Sequence, residues 1–172
     1  MKKIIITTML ALILLVFSGI LITQAGAEDF KCKITNYLTK AEYIPVGDVK
    51  GHIVGLYERR GLVLFENGEV ATLLSRGTFD WTAGNGPVEF YTKMTFKDGS
   101  TTWSKSHATA TRAPGEKLTL IKFTSEYVKG TGRFKGIKGS LSCEGKYVTP
   151  YSKETKGDLC LECTGTRTLP SK

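Results

Sequence analysis

The sequence predicts an all-β protein: a closed antiparallel barrel of about eight strands, preceded by a signal peptide. Three observations carry this. Hairpin signals recur at short spacing, Asn67-Gly68, Asn85-Gly86, Asp98-Gly99 and Pro114-Gly115, and such pairs accept the positive φ that tight turns need. The runs between them are rich in Thr, Val, Phe, Tyr and Trp and show no long helical periodicity. A glycine-punctuated segment, Lys129 to Ser140, then joins two further strand-like runs.

The chain opens with Lys2 and Lys3, an apolar run from Ile4 to Ile22, and the small residues Ala25-Gly26-Ala27. This is the pattern of a secretory signal peptide cleaved after Ala27. The run is long enough for an uncleaved anchor to be the alternative, but Thr7, Thr8, Ser18 and Gly19 dilute it. No lipoprotein box leads into Cys32. The expected domains are residues 1–27 as signal and 28–172 as one barrel domain, exported to a periplasm or the outside, with no transmembrane segment after cleavage. Losing the two lysines lowers the formal charge from +8 to about +6, which favours anionic surfaces without naming one.

The strands expected in order cover residues 31–38, 51–58, 62–65, 70–82, 88–96, 100–112, 117–128, 140–148 and 159–166. The clearest alternation lies in 88–96, where Val88, Phe90, Met94 and Phe96 share one face and Glu89, Tyr91, Lys93 and Thr95 the other. One face is core and the other wet. A sheet this wide must protect its edges, and closure removes them. A two-sheet sandwich is the competing architecture.

The run Gly130-Thr131-Gly132-Arg133-Phe134-x-Gly136-Ile137-x-Gly139, after Glu126-Tyr127 and before Gly145-x-Tyr147, resembles the signature of barrels of the allene oxide cyclase and dirigent type. Related small secreted bacterial proteins of unknown function share it. The resemblance covers about the last third of the chain. It implies an eight-stranded barrel with an apolar interior, into which Phe134 tucks while the glycines let the chain turn sharply. It also implies that a homo-oligomer is possible. No motif here matches the plant enzymes' catalytic residues, so the resemblance carries fold and not activity.

Four cysteines in an exported chain point to two disulfides. Cys143 shares a face with Leu141 and Tyr147, and Cys163 with Leu159 and Leu161, on strands adjacent across a turn. Parity therefore favours Cys143 with Cys163, leaving Cys32 for Cys160; the other two connectivities stay open. Cys160-Leu161-Glu162-Cys163 has redox or metal spacing, but residues three apart on a strand face opposite ways. With no following His and no second Cys-x-x-Cys, neither haem attachment nor a zinc site is expected.

The glycine segment misses the dinucleotide spacing and joins strand to strand, so no nucleotide and no cofactor is expected. Nor is nucleic acid. No Ser-His-Asp set, paired-carboxylate motif or nucleophile elbow is readable. His52 and His107 lie on different strands without metal partners. Glu58, Arg59 and Arg60 end one strand and Asp80 sits beside Trp81; gathered at one mouth, they would orient an anionic or hydroxylated ligand.

Three functions follow as expectations. The first is binding of a small apolar or amphipathic ligand in the barrel interior or mouth, with Glu58, Arg59, Trp81, Phe90, Phe96, Trp103, His107, Phe123 and Tyr127 as candidate residues. The second is a cyclase or isomerase, suggested by resemblance alone, which needs a buried ionisable group such as Glu58 or His107. The third is an interaction protein that touches an anionic envelope surface through Lys129, Arg133, Lys135 and Lys138.

Overall fold

A computed structural model describes residues 26–170 of the chain, apart from Pro114, Lys117, Tyr151 and Lys153. The expected signal segment thus lies outside the described residues except for Gly26 and Ala27. Eight strands run in chain order: β1 (Ala27–Pro45), β2 (His52–Phe65), β3 (Val70–Thr82), β4 (Gly86–Phe96), β5 (Thr101–Thr111), β6 (Leu120–Thr131), β7 (Lys138–Tyr147) and β8 (Leu159–Thr168). Each pairs antiparallel with the next, and β8 returns to β1, from Ala27 opposite Thr168 to Asn36 opposite Leu159. The barrel is therefore closed, and the sandwich is excluded. No helix among the described residues is long and apolar enough to cross a membrane.

Strand alternation sets the wall. Along β1, Cys32, Ile34 and Asn36 are buried while Lys31, Lys33 and Thr35 are exposed, because side chains two apart share a face. The same parity sends Val63 and Phe65 of β2, Ala71 and Leu73 of β3, Met94 and Phe96 of β4, and Leu141 and Cys143 of β7 into one interior core.

Three boundaries differ from expectation. The strands expected over 51–58 and 62–65 merge into one, β2, which starts at His52, because Arg59 and Gly61 stay in register with Leu38 and Asn36 of β1. A Cβ on Gly61 would fall 1.9 Å from the Thr35 carbonyl oxygen, so glycine there permits close strand approach instead of ending the strand. Strand β1 runs on to Pro45, where residues 40–45 pair with residues 53–58 of β2, which pair in turn with β3, and lie beyond the reach of β8. Third, the turn expected at Asn85-Gly86 is centred two residues earlier, with φ of 54° at Ala83 and 84° at Gly84, and Thr82 bridging Asn85.

The glycine segment closes one end of the barrel. A single 3-10 turn, Gly132–Phe134, follows β6 and drives Phe134 inward to 2 % exposure. Its ring lies 4.5 Å from that of Phe96, which stacks on Phe65 at 5.8 Å, and Phe65 meets Phe30 at 5.9 Å. Two arginines cover this aromatic plug. Arg133 sits 4.6 Å above the Phe134 ring and pairs with Glu69 and Asp98; Arg167 sits 5.5 Å from it and makes two 2.9 Å bonds to the Glu28 carboxylate. Arg133 is thus held by structure, whereas Lys129, Lys135 and Lys138 are exposed.

Cys143 and Cys163 face each other across β7 and β8 and form the disulfide. The expected second bridge does not form: Cys32 points inward and Cys160 lies on the outer face opposite Thr35, so both remain thiols. The parity that joins the first pair separates the second.

Candidate functional site

Away from the plug, the interior holds a cavity of about 480 Å³. Its deep part is lined by Ile34, Leu73, Met94 and Leu141, and its mouth by Tyr43, Ile53, Arg112 and Pro150, at the hairpin ends of the strands. With the other end closed by Phe134 and its neighbours, this is the one route in that the cavity lining describes. The volume is of the size that holds a small molecule.

Aromatic side chains form much of the wall. Phe90 and Phe123 meet edge to face at 5.2 Å, Phe79 and Trp81 lie 5.0 Å apart, and Tyr57 meets Phe79 at 6.5 Å. Small hydroxyl residues fill the facing positions of β3, β5 and β6: Ser75, Ser104 and Ser125 line the cavity, and Ser106 bonds to Ser125. These positions leave room that larger side chains would occupy.

Polar groups punctuate this wall at two places. Trp81 Nε1 is buried and has no acceptor among the described residues. An unpaired buried donor costs about 1–3 kcal/mol, and few native groups are left so. Arg59, on β2, is 7 % exposed. Its Nε donates to the Asn36 side chain, its Nη2 to the carbonyls of Gly157 and Asn36, and its Nη1 lies 3.5 Å from the Tyr147 hydroxyl, with the ring 5.2 Å away. Burial is the main force lowering the Arg59 pKa, opposed by Tyr147, Tyr57 and Asp158. Burial likewise pushes the Tyr57 hydroxyl well above its ordinary value, against a hydrogen bond with Ser75. Tyr57 therefore stays protonated at neutral pH.

The nine expected site residues divide three ways. Arg59, Trp81, Phe90 and Phe123 line the cavity. Phe96 and Tyr127 face inward nearer the closed end, where burial pushes the Tyr127 hydroxyl up to about 12. Glu58, Trp103 and His107 are on the outer wall. Glu58 accepts from Thr39, Arg60 and Arg76; Trp103 lies under Lys93 at 5.5 Å; His107 pairs with Glu89 at 3.3 Å, both mostly exposed. The two groups named for catalysis thus face water, because each sits one residue away from an inward position. Tyr57 and the hydroxyl row carry no motif in the sequence, whereas Tyr147 stands there in the glycine signature and on the Cys143 face. Parity with Val63 and Phe65 would have placed Tyr57 inside.

At the rim, His52 is held between two carboxylates, with Nδ1 2.6 Å from Asp48 and Nε2 2.7 Å from Asp80. Two ionised acceptors on both ring nitrogens require the imidazolium form. This ties the β1–β2 loop to the end of β3 beside Trp81. The bonds to Asp80 and Asp48 raise the His52 pKa, and the bond to His52 holds Asp48 below its usual range. Sign follows from this. The His52 contribution is complete below about pH 6.5 and fades as pH rises through the raised value; the Asp48 contribution is complete above about pH 4 and fades as pH falls. An NMR titration of the His52 ring should give a midpoint above 6.5, and Asp80→Asn should bring it down; an unshifted midpoint would show that the loop is not tied in this way.

No protein-family model matches the chain, and no curated protein matches it. Solved structures similar to it include two pterocarpan synthase dirigent proteins. GePTS1 is 16 % identical over 85 % of this chain and 92 % of its own, with a TM-score of 0.47. PsPTS1 is 15 % identical over 86 % of this chain and 97 % of its own, with a TM-score of 0.44.

Proposed function

We propose that the protein is an exported barrel, cleaved after Ala27, that binds a small amphipathic molecule in its interior. One observation carries this reading: an apolar cavity of about 480 Å³, open at the rim, into whose wall a buried indole N–H is built without an acceptor. A packed scaffold would fill that space and pair that donor. A ligand with an apolar body and an acceptor atom satisfies both. Disulfide and aromatic plug hold the walls so that little order has to be imposed on binding.

The neutral fluorescent probe phenylnaphthylamine tests this directly. In Trp103→Phe, Trp81 is the remaining tryptophan, so saturable probe binding should change its emission. Ala108→Phe places a ring in the cavity and should abolish binding while the melting transition stays cooperative. Binding that survives Ala108→Phe, or no binding at all, would remove the interior as the site.

A further inference from the structure

We propose that the ligand is a monoanion, a carboxylate or its sulfonate equivalent on an apolar body, and that Arg59 receives the charged head. This rests on the interior being the binding site, and narrows what the site selects.

The chain has two buried arginines, Arg59 and Arg167. Arg167 is neutralised by a two-pronged contact with Glu28. Arg59 has no carboxylate in contact: its four contacts run to an amide oxygen, two backbone carbonyls and a phenol, and Asp158, the acid whose charge reaches it, acts from a distance and bonds instead to Thr149. Arg60, Arg76 and Arg133 each have an acid partner, and Arg112 is exposed to water. A desolvated guanidinium keeps its proton, so the charge stays and needs a counter-charge.

The lining supplies none. The described residues around the cavity include Arg59, Arg112 and Lys156 but no Asp or Glu. Walls of one sign around a low-dielectric cleft draw in the opposite charge and repel its own. Of the three cations on the lining, Arg112 and Lys156 are exposed and Arg59 is buried. Nη1, whose one protein contact is the long one to Tyr147, is the least committed edge of the guanidinium. The protonated Tyr57 hydroxyl on the same strand offers a further donor. A single buried cation matches one negative charge, and the aromatic wall of Phe79, Phe90 and Phe123 matches an apolar body.

The test compares isosteres on the intact protein. Phenylbutanoate, phenylbutanamide and phenylbutylamine differ in head charge and hardly in shape; each is titrated by displacement of phenylnaphthylamine at neutral pH. The carboxylate should bind at least tenfold more tightly than the amide, the amine most weakly, and the preference should shrink with added salt. Arg59→Lys should keep the order with a smaller ratio, and Arg59→Met should bring carboxylate and amide together. Equal affinities of carboxylate and amide for the wild type overturn the inference while leaving interior binding intact. Absence of probe binding overturns both. The wild-type comparison decides the matter even if Arg59→Met fails to fold.

Discussion

Phe134→Ala is expected to destabilise the fold by about 3–5 kcal/mol, the range for emptying a buried aromatic site. The side chain is 2 % exposed and stands against Phe96, with Arg133 and Arg167 lying over it. Collapse around the gap is hindered because its neighbours are fixed from outside: Arg167 by Glu28, Arg133 by Glu69 and Asp98. The backbone has equally little freedom. A Cβ on Gly130 would come 1.9 Å from the Phe134 carbonyl oxygen, and Gly132 has a φ of 58° with Ser100 Oγ 2.3 Å from its would-be Cβ. Urea unfolding followed by circular dichroism reads the loss; a change under about 1 kcal/mol would mean the plug does not hold the closed end.

The second large effect separates two cysteine variants that look equivalent. Cys163→Ser is expected to cost about 3 kcal/mol, the chain-entropy value for a loop of this length, since the bridge spans 20 residues. Cys143→Ser is expected to cost less, because Cys163 has a second partner. In the register, Cys32 and Cys143 stand on either side of Cys163. A residue in an antiparallel sheet forms a close pair with one neighbour and a hydrogen-bonded pair with the other. The Cα separation of 4.2 Å marks Cys143–Cys163 as the close pair, which leaves Cys32–Cys163 at about 5.5 Å, within disulfide reach. Oxidation of Cys143→Ser with glutathione disulfide should therefore leave one thiol titratable in denaturant, Cys160, where Cys163→Ser leaves three. Three thiols in both would show that Cys32 cannot reach. Burial pushes the Cys32 thiol up to about 11, so the replacement bridge should form slowly at neutral pH.

Much of the architecture was legible in the chain because it is written in period two and in glycine. Turn pairs mark hairpins, with the one at Asn85-Gly86 displaced, alternation in β4 gives the inward face, and the resemblance carried by the glycine segment implies Phe134 in the core. In β5 and β2, parity and not residue chemistry decides which side chains face inward. Trp103 and His107 looked like interior candidates by residue type, yet Ser104, Ser106 and Ala108 occupy the inward positions of β5, and a register shift between Trp103 and Ser104 adds to the ambiguity. Glu58, Arg59 and Arg60 form one charged run in the sequence, whereas alternation turns Arg59 alone of the three to the inner wall. The counter-charge it lacks is invisible in sequence, since it depends on which acids the other strands turn outward.

The pairing of β1 with β8 has a consequence for the order of events in folding. Strand β1 emerges first and β8 last, and Ala27 to Asn36 find their second neighbour only in Leu159 to Thr168. Until those residues arrive, the growing chain is an open sheet with two unprotected edges and an unroofed apolar face. Local hairpins can form as they appear, but the contact that completes the ring joins residues more than a hundred positions apart and comes at the end. Removing the last ten paired residues should therefore leave a species prone to edge-to-edge association, not a slightly shorter barrel.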